Sequence, residues 1–142
     1  SQLALPGMIE RGGGAILNIS SSAARHPKPQ ARSYDGAVYG MCKAAVERFT
    51  TGLASEMYEH AIAVNALSPE SFIATPGQMF GRKYTQEMID SAQPVEGIAE
   101  AAYLLVADRR RNATGGIRYT EEVLTEYGAT PTDIGMPQPE PN

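Results

Sequence analysis

Apolar and polar positions alternate along the chain in blocks that predict strands and helices in turn. The runs AILNIS (15–20) and AIAVNALSP (61–69) are short and apolar, which is typical of buried strands. Between them, residues 37–59 carry apolar positions three and four apart, the spacing of an amphipathic helix. The predicted buried stripe of this helix consists of Val46, Phe49, Leu53 and Met57.

The second half of the chain continues the alternation. A helix is predicted over 94–108, because Pro94 suits a first helical turn. Its predicted buried stripe consists of Val95, Ile98, Ala102 and Leu105. The segment GGIRYT (115–120) predicts a short third strand, and the Pro-rich residues 129–142 predict a tail that follows a domain of residues 1–128.

The order strand, helix, strand, helix, strand with apolar strands indicates parallel pairing through right-handed crossovers. The predicted fold class is therefore α/β. Three strands are too few for a complete doubly wound sheet, so we expect only half of such a sheet.

Composition and charge narrow the functional classes. Hydrophobic residues make up 42% and charged residues 20% of the 142 residues, as in a soluble globular protein. No apolar run approaches the ~20 residues of a membrane span. A net charge of −4 argues against nucleic acid as a partner. The single cysteine, Cys42, is predicted to be a small buried hydrophobe. One cysteine excludes an internal disulfide and fits the cytoplasm. One cysteine and two separated histidines also argue against a metal site.

Polar residues that can take part in catalysis or ligand binding follow both long strands. In open α/β sheets, ligands bind beyond the carboxyl ends of the strands. The first strand runs into three serines (20–22) and the second into SPESFIATPG (68–77), while Tyr39 and Lys43 fall in the first turns of the intervening helix. We therefore expect all these residues at one rim of the sheet.

Tyr39 and Lys43 stand four residues apart, so their side chains can touch on one helix face. A tyrosine has an ordinary pKa of about 10, and a neighbouring ammonium and helix N-terminus favour its phenolate form. With a serine hydroxyl to hold a substrate oxygen, such a tyrosine can give or take the proton in alcohol oxidation or carbonyl reduction. Taken alone, the same spacing also occurs by chance.

The motifs together carry a family resemblance. GGGAILNISSSAA (12–24), the Tyr39-x-x-x-Lys43 helix start, VNALSP (64–69) and TPG (75–77) resemble, in this order, the C-terminal half of the short-chain dehydrogenase/reductase family. The likeness covers roughly residues 5–120. It implies the C-terminal half of a doubly wound, Rossmann-type parallel sheet. It also implies an oxidoreductase that uses NAD or NADP to interconvert an alcohol and a carbonyl.

The resemblance assigns roles to particular residues. Ser21 would orient the substrate oxygen, Tyr39 would be the general acid/base, and Lys43 would lower the pKa of Tyr39 and bind the nicotinamide ribose. The remaining predicted cofactor-binding residues are Pro69, Ile73 and Thr75. The partners implied are a small alcohol or carbonyl substrate and, for the complete protein, further copies in a homodimer or homotetramer.

The chain also departs from the family pattern. Ser21 and Tyr39 lie 18 residues apart, several more than is usual, and Glu70 replaces a glycine of the family. Glu70 either hinders close approach of the cofactor or points away. The glycine-rich cofactor turn would lie upstream, so we expect these residues to be the catalytic half of a domain of roughly 250 residues. Two alternatives remain: a non-catalytic binding or scaffold protein, and an epimerase or lyase that uses the same tyrosine.

Overall fold

The computed structural model describes residues 1–27, 36–80, 83–108 and 113–131. The helices and strands are, in chain order, α1 (Leu5–Glu10), β1 (Gly14–Ile19), α2 (Gly36–Met57), β2 (Ile62–Ser68), α3 (Pro76–Met79), α4 (Gln86–Asp90), α5 (Val95–Ala107), β3 (Ile117–Tyr119) and α6 (Thr120–Tyr127). Single 3₁₀ turns lie at Ser22–Ala24 and Tyr58–His60. The division into a domain (1–128) and a tail (129–142) stays a prediction, because residues 132–142 lie outside the described ranges.

The three strands form one parallel sheet in the order β1-β2-β3. β1 and β2 pair from Gly14 opposite Ile62 to Ile19 opposite Leu67, so both strands end at the same edge. The predicted α/β class with parallel strands is thus confirmed.

Helices cover both faces of the sheet, and β2 is buried between them. Leu53 and Ala54 of α2 pack with Ile62 and Val64 on one face. The other face is covered by α5 and α6, in a cluster that consists of Leu67, Ala101, Leu105 and Val123. Because successive side chains of a strand point to opposite faces, β2 supplies both clusters, which explains its nearly continuous apolar sequence.

The predicted buried face of α2 is partly wrong. Phe49 is 52% exposed, and its neighbour Thr50 is fully buried. The Thr50 hydroxyl accepts a hydrogen bond from Asn18 Nδ2 (2.9 Å) and donates one to the Val46 carbonyl (2.8 Å). Polar partners from β1 and from the preceding helical turn therefore decide the orientation. Cys42, predicted to be buried, is exposed on the same helix.

Short elements were absent from the prediction. α3 and α4 begin at the N-cap residues Thr75 and Thr85, whose hydroxyls accept hydrogen bonds from backbone N–H groups. α6 follows β3 directly and ends at Gly128, which has a left-handed conformation (φ 60°). These helices have four, five and eight residues, too few for a clear apolar period.

Neither a membrane span nor a metal cluster is found in the described ranges. Every helix there is too short or too polar to cross a lipid bilayer. Those residues also include no group of three or more histidine, cysteine, aspartate or glutamate side chains placed to hold a metal ion.

Replacement of Thr50 by valine tests the polar contact between α2 and β1. Thr50→Val keeps the shape but leaves Asn18 Nδ2 without its acceptor. We expect the free energy of unfolding to fall by about 1–3 kcal/mol, measured by urea denaturation of the natural full-length product. Thr51→Val is the control, because within the described ranges the Thr51 hydroxyl bonds only the Arg48 carbonyl on the exposed helix surface. Equal effects of the two substitutions would contradict this account.

Candidate active site

A cavity of about 590 Å³ lies at the carboxyl ends of the strands. It is bounded by Ile19, the last residue of β1, and by Pro69, which follows β2. All six residues predicted from the sequence line this one cavity: Ser21, Tyr39, Lys43, Pro69, Ile73 and Thr75. The structure therefore brings together the residues that the motifs singled out.

Lys43 is held between the end of β1 and the ring of Tyr39. Its ammonium group donates a hydrogen bond to the Ile19 carbonyl (2.9 Å) and lies 5.7 Å from the centroid of the Tyr39 ring. That distance is within the range of a cation–π contact. Lys43 is the only charged side chain among the described residues that line the cavity. The cavity thus has one fixed positive charge beside its tyrosine.

The serines at the end of β1 have different hydrogen-bonding roles. Ser20 is buried, and its hydroxyl donates to Glu47 Oε1 (2.7 Å). The Ser21 hydroxyl oxygen instead accepts from the Ala23 N–H (3.2 Å), which caps the short 3₁₀ turn. Within the described ranges, the Ser21 O–H makes no other hydrogen bond. Ser21, and not Ser20, therefore has a proton to donate to a ligand.

Three side-chain contacts dock α2 onto the end of β1. Lys43 bonds Ile19, Glu47 bonds Ser20, and Thr50 bonds Asn18. These helix residues are four and three apart, so they lie on one face of α2. Sequence reasoning missed Glu47 and Thr50, although polar residues in register with Lys43 were a signal.

Gly40 allows α2 to approach the serine segment closely. A Cβ atom at this position would lie 2.7 Å from the Ala23 carbonyl oxygen. Any larger residue would push the first turn of α2 away from the 3₁₀ turn that Ser21 caps. Gly40 therefore helps to set the separation of Tyr39 and Ser21.

Much of the rest of the cavity lining is apolar. Phe72 and Tyr84 stack with their ring centroids 4.9 Å apart, and the Tyr84 hydroxyl donates to the Gln78 carbonyl (3.2 Å). The other apolar side chains of this lining are Ile73, Met88, Val95 and Ile98. The cavity thus offers both polar and apolar side chains to a ligand.

Glu70 does not line the cavity. One carboxylate oxygen accepts from the Glu121 N–H at the start of α6 (2.7 Å), and the other accepts from Gln93 Nε2 (3.2 Å). The carboxylate is therefore directed toward α6 and leaves the cavity clear. Of the two possibilities that the sequence left open, the structure shows the second.

In open parallel α/β sheets, ligands bind beyond the carboxyl ends of the strands, and here serine, tyrosine and lysine side chains line a cavity at that edge. Residues 1–85 match the family described as short chain dehydrogenase. The chain belongs to the short-chain dehydrogenase/reductase family, as the motifs predicted.

Sequence relatives include reductases and dehydrogenases. The chain is similar to a very-long-chain 3-oxoacyl-CoA reductase of Anas platyrhynchos, with 40% identity over 75 residues, 53% of this chain and 22% of that protein. It is also similar to the NADP-dependent 3-hydroxy acid dehydrogenase YdfG of Escherichia coli K12, with 38% identity over 65 residues, 46% of this chain and 24% of that protein.

Solved structures match a larger part of the chain. Acetoin dehydrogenase YohF from Salmonella typhimurium is 31% identical with a TM-score of 0.64, over 84% of this chain and 47% of that one. L-sorbose reductase from Gluconobacter frateurii, solved with NADPH and L-sorbose, is 27% identical with a TM-score of 0.66, over 83% of this chain and 51% of that one. The chain thus spans about half of these solved proteins and about a quarter of the curated relatives. These neighbours confirm a partial Rossmann-type fold.

Proposed function

We propose that the complete protein is an NAD(P)-dependent oxidoreductase that interconverts an alcohol and a carbonyl by hydride transfer. The observation that carries this proposal is the shared cavity, in which Lys43 lies 5.7 Å from the ring of Tyr39 and Ser21 has a proton to donate. The substrate is a small molecule, and the family membership and the names of the relatives support this class of reaction.

The residues present fit a nicotinamide cofactor. Lys43 provides N–H donors for ribose hydroxyls, and Pro69, Ile73 and Thr75 line the cavity with Glu70 turned away. The cofactor, when bound, supplies or accepts the hydride. NADPH and NADP appear in the names of similar proteins, and the choice between NAD and NADP stays open for this chain.

The proton is handled by side chains of this chain. In carbonyl reduction, the Tyr39 hydroxyl donates its proton to the substrate oxygen, while the Ser21 O–H donates a hydrogen bond to the same oxygen. The ammonium of Lys43 stabilises the negative charge left on Tyr39. In alcohol oxidation the same proton moves in the opposite direction.

The exposed side of α2 supports the proposed homodimer or homotetramer. Val38, Met41 and Phe49 are 71%, 65% and 52% exposed, and they lie on the side of the helix that the sheet does not cover. An apolar stripe of this kind is typical of a surface that another polypeptide covers.

A cytoplasmic location of the protein also stays a prediction.

The direct test is an assay of the natural full-length product with NADH or NADPH and a panel of ketones and aldehydes. Loss of the nicotinamide absorbance with formation of the matching alcohol supports the proposal. Failure to bind either nucleotide would favour the scaffold alternative. A rearranged product without net redox change would favour the epimerase or lyase.

Substitution of the two neighbouring serines distinguishes their roles. Ser21→Ala is expected to lower the turnover number about 100-fold, because the substrate oxygen loses a hydrogen-bond donor in the transition state. Ser20→Ala is expected to lower the free energy of unfolding by about 1 kcal/mol through loss of the Glu47 bond, with turnover changed only a few-fold. Steady-state kinetics and urea denaturation measure the two effects. The reverse pattern would assign the substrate contact to Ser20.

A further inference from the structure

The side chain and backbone of Gln93 hold the segment 71–73, which forms part of the cavity wall. The Gln93 N–H donates to the Phe72 carbonyl (2.8 Å), and Gln93 forms an isolated parallel bridge with Ile73. The side-chain oxygen of Gln93 accepts from the Ser71 N–H (3.2 Å). The position of this wall therefore depends on the position of Gln93.

Two carboxylates fix the amide of Gln93. Its Nε2 donates to Glu70 (3.2 Å) and to Glu121 (3.1 Å). An amide nitrogen has two hydrogens, so both are used. A reversed amide would place its oxygen against two carboxylates and its nitrogen against the Ser71 N–H. The arrangement therefore permits a single orientation.

Glu70 is suited to this position because both of its partners are donors. One oxygen accepts from the Glu121 N–H and the other from Gln93 Nε2. The start of α6 also favours a negative charge. Glutamine at position 70 has one acceptor and one donor, so in either orientation its NH₂ group faces another donor.

We infer that Glu70 is a positioning residue for the cofactor side of the cavity. It fixes Gln93, Gln93 fixes residues 71–73, and Ile73 and Thr75 line the cavity. Glu70 itself does not line the cavity, so it acts through Gln93. The part of this inference that concerns the cofactor rests on the proposed function.

The test compares Glu70→Gln with Glu122→Gln in the natural full-length product. Both substitutions remove one negative charge near the start of α6, but among the described residues the Glu122 carboxylate bonds Arg118 (3.1 Å) and no residue of the cavity wall. Hydrogen exchange of peptides that cover 71–75 and 93 reports the wall, and fluorescence titration with NADH and NADPH reports affinity. Saturating steady-state assays report kcat.

Glu70→Gln is expected to raise exchange at the Ser71 and Gln93 amides about 10-fold and to weaken nucleotide binding about 5- to 20-fold. The value of kcat at saturation should change less than about threefold, because the proton-transfer residues stay in place. Glu122→Gln should leave the exchange rates, the nucleotide affinity and kcat within about twofold of the unsubstituted protein. If Glu70→Gln fails to fold, Gln93→Met removes the same side-chain bonds and should raise exchange at Ser71 equally.

Unchanged exchange would overturn the inference whatever the nucleotide result. Raised exchange with unchanged nucleotide affinity would overturn the role of Glu70 at the cofactor side. If the unsubstituted protein binds neither nucleotide, the proposed function fails, and the exchange result alone decides whether Glu70 positions the wall.

Discussion

Tyr39→Phe is expected to lower the turnover number of the complete protein by about three orders of magnitude. The substitution removes only the hydroxyl that gives or takes the proton. The ring remains, so Lys43 keeps its contact with the ring and its bond to the Ile19 carbonyl. Nucleotide affinity should therefore change little, and the loss should fall on kcat. Steady-state kinetics with a separate titration of NADH or NADPH distinguish the two effects.

Tyr58→Phe is the matched control for this experiment. Tyr58 follows the same helix and has a similar exposure, 45% against 44% for Tyr39, but it does not line the cavity between the strand ends. Its substitution should leave turnover within about twofold. Turnover retained by Tyr39→Phe would refute the proposed alcohol and carbonyl chemistry.

Lys43→Met is expected to have the second-largest effect, because it removes one positive charge that has two proposed functions. The ammonium lies 5.7 Å from the centroid of the Tyr39 ring, and it is proposed to stabilise negative charge on Tyr39 and to bind the nicotinamide ribose. We expect kcat to fall about 100-fold and the nucleotide dissociation constant to rise about 10-fold. Methionine keeps the apolar stem, so the packing of α2 on β1 loses little beyond the bond to Ile19.

Lys83→Met is the control for the loss of a positive charge. Lys83 is exposed and lies outside the cavity lining. Both kinetic constants should stay within about twofold after this substitution. An effect of Lys43→Met on nucleotide affinity alone would contradict its proposed part in proton transfer.

The long elements were predictable because their local patterns are strong. The two buried runs and the two longest helices differ from their predicted bounds by no more than two residues at any end. The orientation of α2 was only partly predictable. Phe49 is the more apolar residue, but the buried position goes to Thr50, because Asn18 of β1 supplies a partner for its hydroxyl. Such a contact joins residues 32 apart and leaves no local pattern.

The cavity residues were predictable from motif order, whereas the residues that hold them in position were not. Ser21, Tyr39 and Lys43 fall at strand and helix ends that topology brings together. Glu47 and Gln93 meet their partners across 27 and 23 residues. Each is an ordinary polar residue whose role arises only when two distant segments pack together.

Contacts between α2 and β1, and not the length of the chain between Ser21 and Tyr39, set the spacing of these two residues. Contacts of Lys43, Glu47 and Thr50 with β1, and the close approach at Gly40, set where Tyr39 stands relative to Ser21. Of the residues named in these contacts, Ala23 alone lies in the 18-residue interval between Ser21 and Tyr39. Connecting segments tolerate insertions and deletions, so related chains can differ in length between Ala23 and Gly40 and still keep the contacts that place Tyr39 relative to Ser21.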